Sequence, residues 1–159
     1  YTMRAEKYGV LGGLLQSKHV FFVNGYIPAK HAEKLKKKLE EKGCPKVVVN
    51  DLARCDMAEA VEDAFRYGKL ALASVTYNGD VLPPMRAFLH HLTSRGYQNR
   101  TVGMIENGSW APNAGRIMRG MLEQMKQIEI IEPMVTIRSR MNPDSIRTME
   151  ALADVISSK

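Results

Sequence analysis

Two short loops hold the residues of this sequence whose types and spacing suggest chemistry. The first, residues 74–80, reads Ser-Val-Thr-Tyr-Asn-Gly-Asp, and the second, residues 106–112, reads Glu-Asn-Gly-Ser-Trp-Ala-Pro. Each follows a short apolar run and precedes a helical pattern, so in a parallel α/β sheet both loops would lie at the carboxyl edge, where ligands bind. Asn-Gly lets the backbone take positive φ and turn its amides toward a ligand, while Tyr77 and Trp110 can cover a flat ring. The loops therefore predict a pocket for a planar heterocycle.

The histidines and serines lack the partners that catalysis or metal binding would need. Adjacent positions on a helix diverge by about 100°, so His90 and His91 would not share a ligand. The other two histidines, His19 and His31, are not spaced with carboxylates as metal ligands are. Ser74 and Ser109 have no His nearby that would complete a hydrolase triad. The sequence predicts no catalytic residue and no metal site, and Asp80 and Glu106 are expected to be solvated or capping groups.

Composition and charge set the broad class. The chain has 159 residues, 45% of them hydrophobic and 25% charged, which is enough for one domain with a core. No apolar run is long enough to span a membrane and no secretory signal is evident, so a cytoplasmic setting is expected. Cys44 and Cys55 are too few and too far apart for a disulfide framework, which predicts two reduced thiols.

The net charge of +6 does not by itself indicate a nucleic-acid partner. The densest basic segment, residues 34–42, mixes both signs on an amphipathic helix, which is typical of a solvated face. Basic stripes with interleaved aromatic residues are missing from the sequence. The excess positive charge instead favours an anionic cofactor or an acidic protein partner.

The hydrophobic pattern predicts alternating strands and helices. Residues 1–18 form a short helical extension or linker, broken near Gly12-Gly13, and residues 19–159 form one domain. Five β-α pairs predict a parallel sheet with helices on both faces, because the strands are short apolar runs suited to burial on both sides. The predicted strands are 19–24, 46–50, 69–75, 100–106 and 128–137, and the predicted helices are 29–42, 56–67, 84–95, 113–127 and 143–157.

Five β-α units, a planar-ligand pocket after the third and fourth strands, and no dinucleotide fingerprint together favour one fold. It is a flavodoxin-like, doubly wound, five-stranded parallel sheet of order 2-1-3-4-5. Residues 56–65, 73–79, 83–85, 88–92 and 99–112 also resemble the flavodoxin domain of A-type flavoproteins, also called flavodiiron proteins. The resemblance runs from about residue 44 to the end of the sequence.

That resemblance implies a cofactor, a partner and a set of binding residues. In the family this domain binds FMN and passes electrons to a diiron centre on a separate domain, usually after receiving them from rubredoxin or another reductase. The sequence has no His-x-Glu-x-Asp-His cluster, so a redox partner such as rubredoxin or a diiron domain is expected, and a homodimer is left open. The first loop would contact the isoalloxazine on one side through Thr76, Tyr77, Asn78, Gly79 and Asp80. The second loop would contact it on the other side through Asn107, Gly108, Ser109 and Trp110.

The first strand-to-helix turn departs from the family pattern. Members have a Ser-x-x-Gly-Asn-Thr-like loop that holds the FMN phosphate at a helix N-terminus, whereas residues 24–31 read Asn-Gly-Tyr-Ile-Pro-Ala-Lys-His. An ungapped match places Tyr26 at the Ser, Ala29 at the Gly and His31 at the Thr, and Pro28 removes an amide donor. The phosphate site is expected to be degraded, or rebuilt around Lys30 as a point charge, so FMN binding would be weak or absent.

The function predicted from these features is electron transfer through bound FMN, with the cofactor doing the redox chemistry. Such a chain is a carrier rather than an enzyme with its own acid or base. Two alternatives stay open. The chain could be a flavin-free interaction domain that kept the fold, or an FMN-dependent quinone or small-molecule reductase.

Overall fold

The computed structural model of this protein describes residues 20–25 and 29–159, with side chains described from residue 32 onward. The predicted extension, residues 1–18, lies outside the described residues. The strands in the described ranges are β1 (Val20–Gly25), β2 (Val47–Asp51), β3 (Lys69–Tyr77), β4 (Asp80–Val81), β5 (Arg100–Asn107), β6 (Ile128–Ile130) and β7 (Val135–Ile137). The helices are α1 (Ala29–Glu41), α2 (Met57–Arg66), α3 (Pro83–Ser94), α4 (Ala114–Leu122) and α5 (Pro143–Ser158).

The strands form one sheet whose main path is β2-β1-β3-β5-β6, and every pair on this path is parallel. β7 is also parallel to β5 and pairs with it closer to its carboxyl end than β6 does. β4 pairs antiparallel with the end of β3. With the two-residue strand β4 set aside and β6 and β7 taken as one interrupted strand, the order is second, first, third, fourth, fifth. The predicted fold class, a doubly wound flavodoxin-like α/β sheet, is confirmed.

Two separate hydrophobic cores lie on the two faces of the sheet. Leu70 and Leu72 of β3 pack with α2, α3 and α4, whereas Ala71 and Ala73 of the same strand pack with α1 and α5. This alternation follows from the two-residue period of a strand, which sends successive side chains to opposite faces. Both faces of β3 are buried, as its continuous apolar sequence predicts.

Several boundaries differ from the sequence prediction, and each has a physical reason. β3 runs two residues further than expected because it continues into a β-hairpin with β4. The expected strand 128–137 is interrupted between β6 and β7, where Pro133 has no N–H for a ladder hydrogen bond. The helix expected over residues 113–127 ends at Leu122, and three-residue turns follow it, in which Gln124 and Met125 donate to the carbonyls of Met121 and Leu122.

Capping contacts fix several helix ends. The Asp56 side chain accepts from the Ala58 amide at 2.7 Å, so Asp56 is the N-cap of α2. Asn142 and Ser145 form a reciprocal capping box at the start of α5. At the other end of α5, the buried Lys69 ammonium donates to the Ile156 carbonyl at 2.7 Å, so the centre of the sheet holds the last turn of this helix.

Cys44 is buried and Cys55 is half-buried, and both are free cysteines. Burial raises the pKa of each thiol, so both favour the protonated form. Within the described ranges, none of the helices combines the length and the apolar character needed to cross a bilayer.

Tyr97 carries a polar atom that the core does not satisfy. The side chain is 1% exposed and its ring meets Phe65 edge-to-face at 5.2 Å, but its hydroxyl has no hydrogen-bond partner among the described residues. Burial raises the pKa of this phenol well above its ordinary value.

We expect Tyr97→Phe to raise the free energy of unfolding by about 1 kcal/mol at pH 7, because it removes a buried, unpaired hydroxyl. The raised pKa in the folded state makes the stability of the parent fall above about pH 10, where unfolded tyrosine ionises. The variant should lose less stability there. Urea unfolding at pH 7 and pH 10.5 tests both parts, with the exposed Tyr77→Phe as the control. A Tyr97→Phe protein destabilised at both pH values would show that the hydroxyl is satisfied.

Candidate functional site

The carboxyl ends of four strands meet at one edge of the sheet. Gly25 at the end of β1 lies opposite Ser74 of β3, Val75 lies opposite Asn107 at the end of β5, and Asn107 lies opposite Ile137 at the end of β7. The helices after β1 and β3 pack on opposite faces, which makes the boundary between these two strands the topological switch point. The two predicted loops therefore lie beside each other next to this point.

The first loop is a tight β-hairpin rather than an open turn between strand and helix. Tyr77 pairs with Asp80, and Asn78 and Gly79 between them have φ values of 50° and 73°. Positive φ at both central residues is the two-residue hairpin turn that Asn-Gly favours. The sequence correctly predicted the backbone freedom of Asn78-Gly79, and the structure uses that freedom to reverse the chain. The Ser74 hydroxyl, below the hairpin, accepts from the Leu82 amide at 3.3 Å.

Thr76 joins the hairpin to the start of α4. Its hydroxyl oxygen accepts from the amides of Asn113 at 2.9 Å and Ala114 at 3.1 Å, while the Asn113 side chain donates to the Gly79 carbonyl at 2.7 Å. A side chain at Gly108 would lie 2.9 Å from the Pro112 Cα and 3.3 Å from the Thr76 hydroxyl. The two loops are therefore held in direct contact, and Gly108 is the residue that permits the close approach.

The second loop is bonded to a segment that sequence reasoning missed. The Asn107 side-chain oxygen accepts from the Ser139 amide at 3.0 Å, and the hydroxyls of Ser109 and Ser139 are 2.7 Å apart. Ser139 has a φ of 66°, and it stands between the exposed residues Arg138 and Arg140. The sequence carries one signal for this segment, because Arg-Ser-Arg follows the last apolar strand and so must also lie at the carboxyl edge.

Glu106 is a buried carboxylate directly beneath the second loop. It is 5% exposed and accepts from the Gly115 amide at 2.8 Å and from the Thr136 hydroxyl at 2.9 Å. A Cβ at Gly115 would lie 2.3 Å from the Met134 sulfur and 2.9 Å from the Glu106 Oε2. Of the two roles expected for Glu106, the structure shows the capping one, since the carboxylate lies at the positive end of α4.

Tyr77 and Trp110 are the exposed aromatic side chains of the site. Tyr77 is 51% exposed, and Trp110, the single tryptophan of the sequence, is 96% exposed. Tryptophan is highly buried on average in folded proteins, so an almost bare indole beside a ligand-binding edge is unusual. Both rings have open surface that a flat ligand could cover.

Asp80 pairs with an arginine of the following helix. Its carboxylate accepts from Arg86 Nε at 2.7 Å and Nη2 at 2.5 Å, and also from the Val81 amide at 2.7 Å. The hydrogen bonds from Arg86 lower the pKa of this carboxyl. Asp80 therefore fixes the start of α3 to the hairpin, and any ligand contact from it would come from this paired carboxylate.

The predicted phosphate-loop residues fall at the limit of the described chain. Tyr26 lies outside the described residues, and Lys30 and His31 are described only as backbone at the start of α1. That helix follows β1 and so starts at the carboxyl edge, with no acidic residue in its first turn. An anion at this helix start would meet a favourable dipole. The roles of Tyr26, Lys30 and His31 stay predictions.

Comparison with known proteins gave a structural match but no sequence match. No family model matches the chain, and no curated protein matches it in sequence. Over 90% of the chain, the structure superimposes with a TM-score of 0.81 on rubredoxin oxygen:oxidoreductase from Desulfovibrio gigas, at 17% identity. A flavodoxin from the domain Archaea matches 88% of the chain at 16% identity and a TM-score of 0.73, and the alignment covers 96% of that protein.

A flavo di-iron protein from Thermotoga maritima matches 92% of the chain with 21% identity and a TM-score of 0.68. The chain spans 36% and 37% of the lengths of the Desulfovibrio and Thermotoga proteins, so it corresponds to about a third of each. The chain thus has the flavodoxin-like fold of flavodoxins and of the flavodoxin-like domains of flavodiiron proteins. The resemblance inferred from the sequence is confirmed at the level of the fold.

Proposed function

We propose that this chain binds FMN at the carboxyl edge, with the flavin ring between residues 76–80 and 107–110, and that it serves electron transfer. One observation carries the proposal. The two Asn-Gly loops contact each other through Thr76 and Gly108 beside the switch point, and they leave Tyr77 and Trp110 exposed. A pre-formed edge with open aromatic faces fits a planar, hydrogen-bonding cofactor.

The residues present fit the flavin end of such a ligand. Trp110 would cover one face of the ring, and Tyr77 with Asn78, Gly79 and Asp80 would contact it from the hairpin. Backbone groups of the hairpin would address the polar N5 and N3 edges, and Asn107, Gly108 and Ser109 would close the other side. When bound, FMN supplies redox chemistry, and these residues would orient it and exclude water. The phosphate would lie at the start of α1, with Lys30 as a point charge.

The charge of the edge also supports an anionic ligand and an acidic partner. Arg138 and Arg140 flank Ser139, which is bonded to Asn107 and Ser109, so two exposed positive charges stand beside the second loop. Exposed positive charge attracts anionic ligands and steers acidic partners. We propose that the partner is a redox protein such as a rubredoxin or a diiron domain; the Desulfovibrio neighbour is itself named for rubredoxin.

Trp110 provides the direct test. We expect added FMN to quench the Trp110 fluorescence and Trp110→Ala to weaken FMN binding about tenfold or more, because stacking on an aromatic contributes about 1–3 kcal/mol per ring. Isothermal titration of both proteins with FMN measures this difference. His91→Ala, on α3 and outside both loops, should keep the parent affinity. Equal affinities of the Trp110→Ala and parent proteins would refute the stacking role.

The altered residues 24–31 favour one alternative function, a flavin-free interaction domain. The absorption spectrum of the purified protein separates the two functions. A flavin band, or a saturable FMN titration of colourless protein, supports the cofactor. No binding at millimolar FMN would establish the flavin-free alternative.

A further inference from the structure

A groove of about 700 Å³ lies between the β3–β4 hairpin, α3 and α4. It begins at Tyr77, Asn78 and Asp80, but none of residues 107–110 lines it. Its far wall is Met121, near the end of α4, so the groove extends away from the carboxyl edge across the helices. Its volume is within the usual range for small-molecule sites.

The walls of the groove are mostly apolar. Val81, Pro83 and Ala87 contribute aliphatic surface, Tyr77 contributes a half-exposed ring, and Met121 contributes a thioether. Thioethers and aromatic rings both make favourable contacts with flat, polarisable rings. The shape and chemistry of these walls therefore suit a planar, apolar ligand.

The two polar side chains of α3 that line the groove, Arg86 and His90, can donate hydrogen bonds. Asp80 binds Arg86 through Nε and Nη2, which fixes the plane of the guanidinium and uses two of its five N–H donors. The remaining Nη1 edge can donate to a ligand oxygen. His90, one helical turn further along α3, also lines the groove. Because the charges of Asp80 and Arg86 cancel, these groups favour an uncharged ligand with acceptor oxygens.

We propose that this groove binds an uncharged quinone-type ring, which is planar and apolar and carries carbonyl acceptors. The ring lies against Tyr77, Pro83 and Met121, and a carbonyl oxygen accepts from Arg86. This site is separate from the proposed flavin site and shares only the hairpin with it. The proposal concerns binding, and it stands whether or not the chain holds FMN.

The probe is 2,3-dimethyl-1,4-naphthoquinone, whose substituted quinone ring does not add to cysteine thiols. Protein labelled with ¹³C in the methionine methyl groups reports the site, and Met121→Leu assigns the Met121 signal. We expect a saturable shift of the Met121 methyl signal, with no shift of Met149, which is buried on the opposite face of the sheet. The hydrocarbon 2,3-dimethylnaphthalene should bind at least tenfold more weakly because it has no acceptors.

Two variants test the walls and the donor separately. Ala87→Phe fills the groove and should abolish the Met121 shift, whereas Ser94→Phe, at the end of the same helix and outside the groove, should keep it. Arg86→Lys keeps a positive partner for Asp80 but loses the planar donor edge, so it should weaken naphthoquinone binding about tenfold without affecting the hydrocarbon.

Three results would each overturn the proposal. They are equal binding of the quinone and the hydrocarbon, an unchanged Met121 shift in a folded Ala87→Phe protein, and displacement of the quinone by FMN with the same shift of Met121. The last would assign the groove to the flavin. Failure of FMN to bind anywhere would refute the proposed function and leave the quinone titration unaffected.

Discussion

Replacement of Glu106 by leucine is expected to lower the free energy of unfolding by about 2–3 kcal/mol. The substitution keeps much of the side-chain volume but leaves the buried Gly115 amide and the Thr136 hydroxyl without their acceptor. Hydrogen bonds to charged groups are each worth about 1.5–3 kcal/mol, and relief of carboxylate desolvation offsets part of their sum. The favourable interaction of the carboxylate with the α4 dipole is lost as well.

Urea unfolding of the parent and Glu106→Leu proteins measures this difference. Glu123→Gln is the matched control, because Glu123 is exposed at the opposite end of α4 and should change stability by less than about 0.5 kcal/mol. If Glu106→Leu is as stable as the control, the carboxylate is not what connects β5, β7 and the start of α4.

The second large effect concerns the residues that would hold the phosphate. We expect the parent to prefer FMN over riboflavin only slightly, because Tyr26, Pro28 and His31 stand where a small hydroxyl, an amide donor and a second hydroxyl are expected. Losing two or three hydrogen bonds to a dianion costs several kcal/mol. The triple change Tyr26→Ser, Ala29→Gly and His31→Thr should therefore tighten FMN much more than riboflavin.

Calorimetric titration of the parent and the triple variant with FMN and with riboflavin gives the four affinities needed. Lys30→Gln in the parent is the companion variant, since it removes the point charge that a rebuilt phosphate site would use. A parent that already prefers FMN by about a hundredfold, or 2.7 kcal/mol, and loses that preference in Lys30→Gln has a working phosphate site. The interpretation of residues 24–31 as degraded would then be wrong.

The features predicted correctly from the sequence are those fixed by local chemistry. The alternation of short apolar runs with amphipathic helices predicted the layer order, and the positive φ of Asn78 and Gly79 follows from their residue types. These predictions needed only the propensities of a few neighbouring residues.

The features missed depend on long-range pairing. Ser139 meets Asn107 and Ser109 because β7 pairs with β5 beyond the break after β6, and no local pattern reveals that register. The hairpin strand β4 is two residues long, too short for a periodic signal. The sequence predicted Thr76 only as a ligand contact, and its capping of α4 was visible only once β3 and β5 were placed side by side.

That capping of α4 by Thr76 also bears on the direction in which a phosphorylated ligand can lie. The first amides of α4 already donate to Thr76 and Glu106. The first two residues of α3 are prolines, and its next two amides donate to the Leu82 carbonyl. At the starts of α2 and α5, the side chains of Asp56 and Asn142 accept hydrogen bonds from first-turn amides. Because first-turn amides of α2, α4 and α5 and the prolines of α3 are accounted for in this way, we expect a nucleotide at this edge to have one polarity, with its phosphate at the start of α1, toward β1, and its ring toward Trp110.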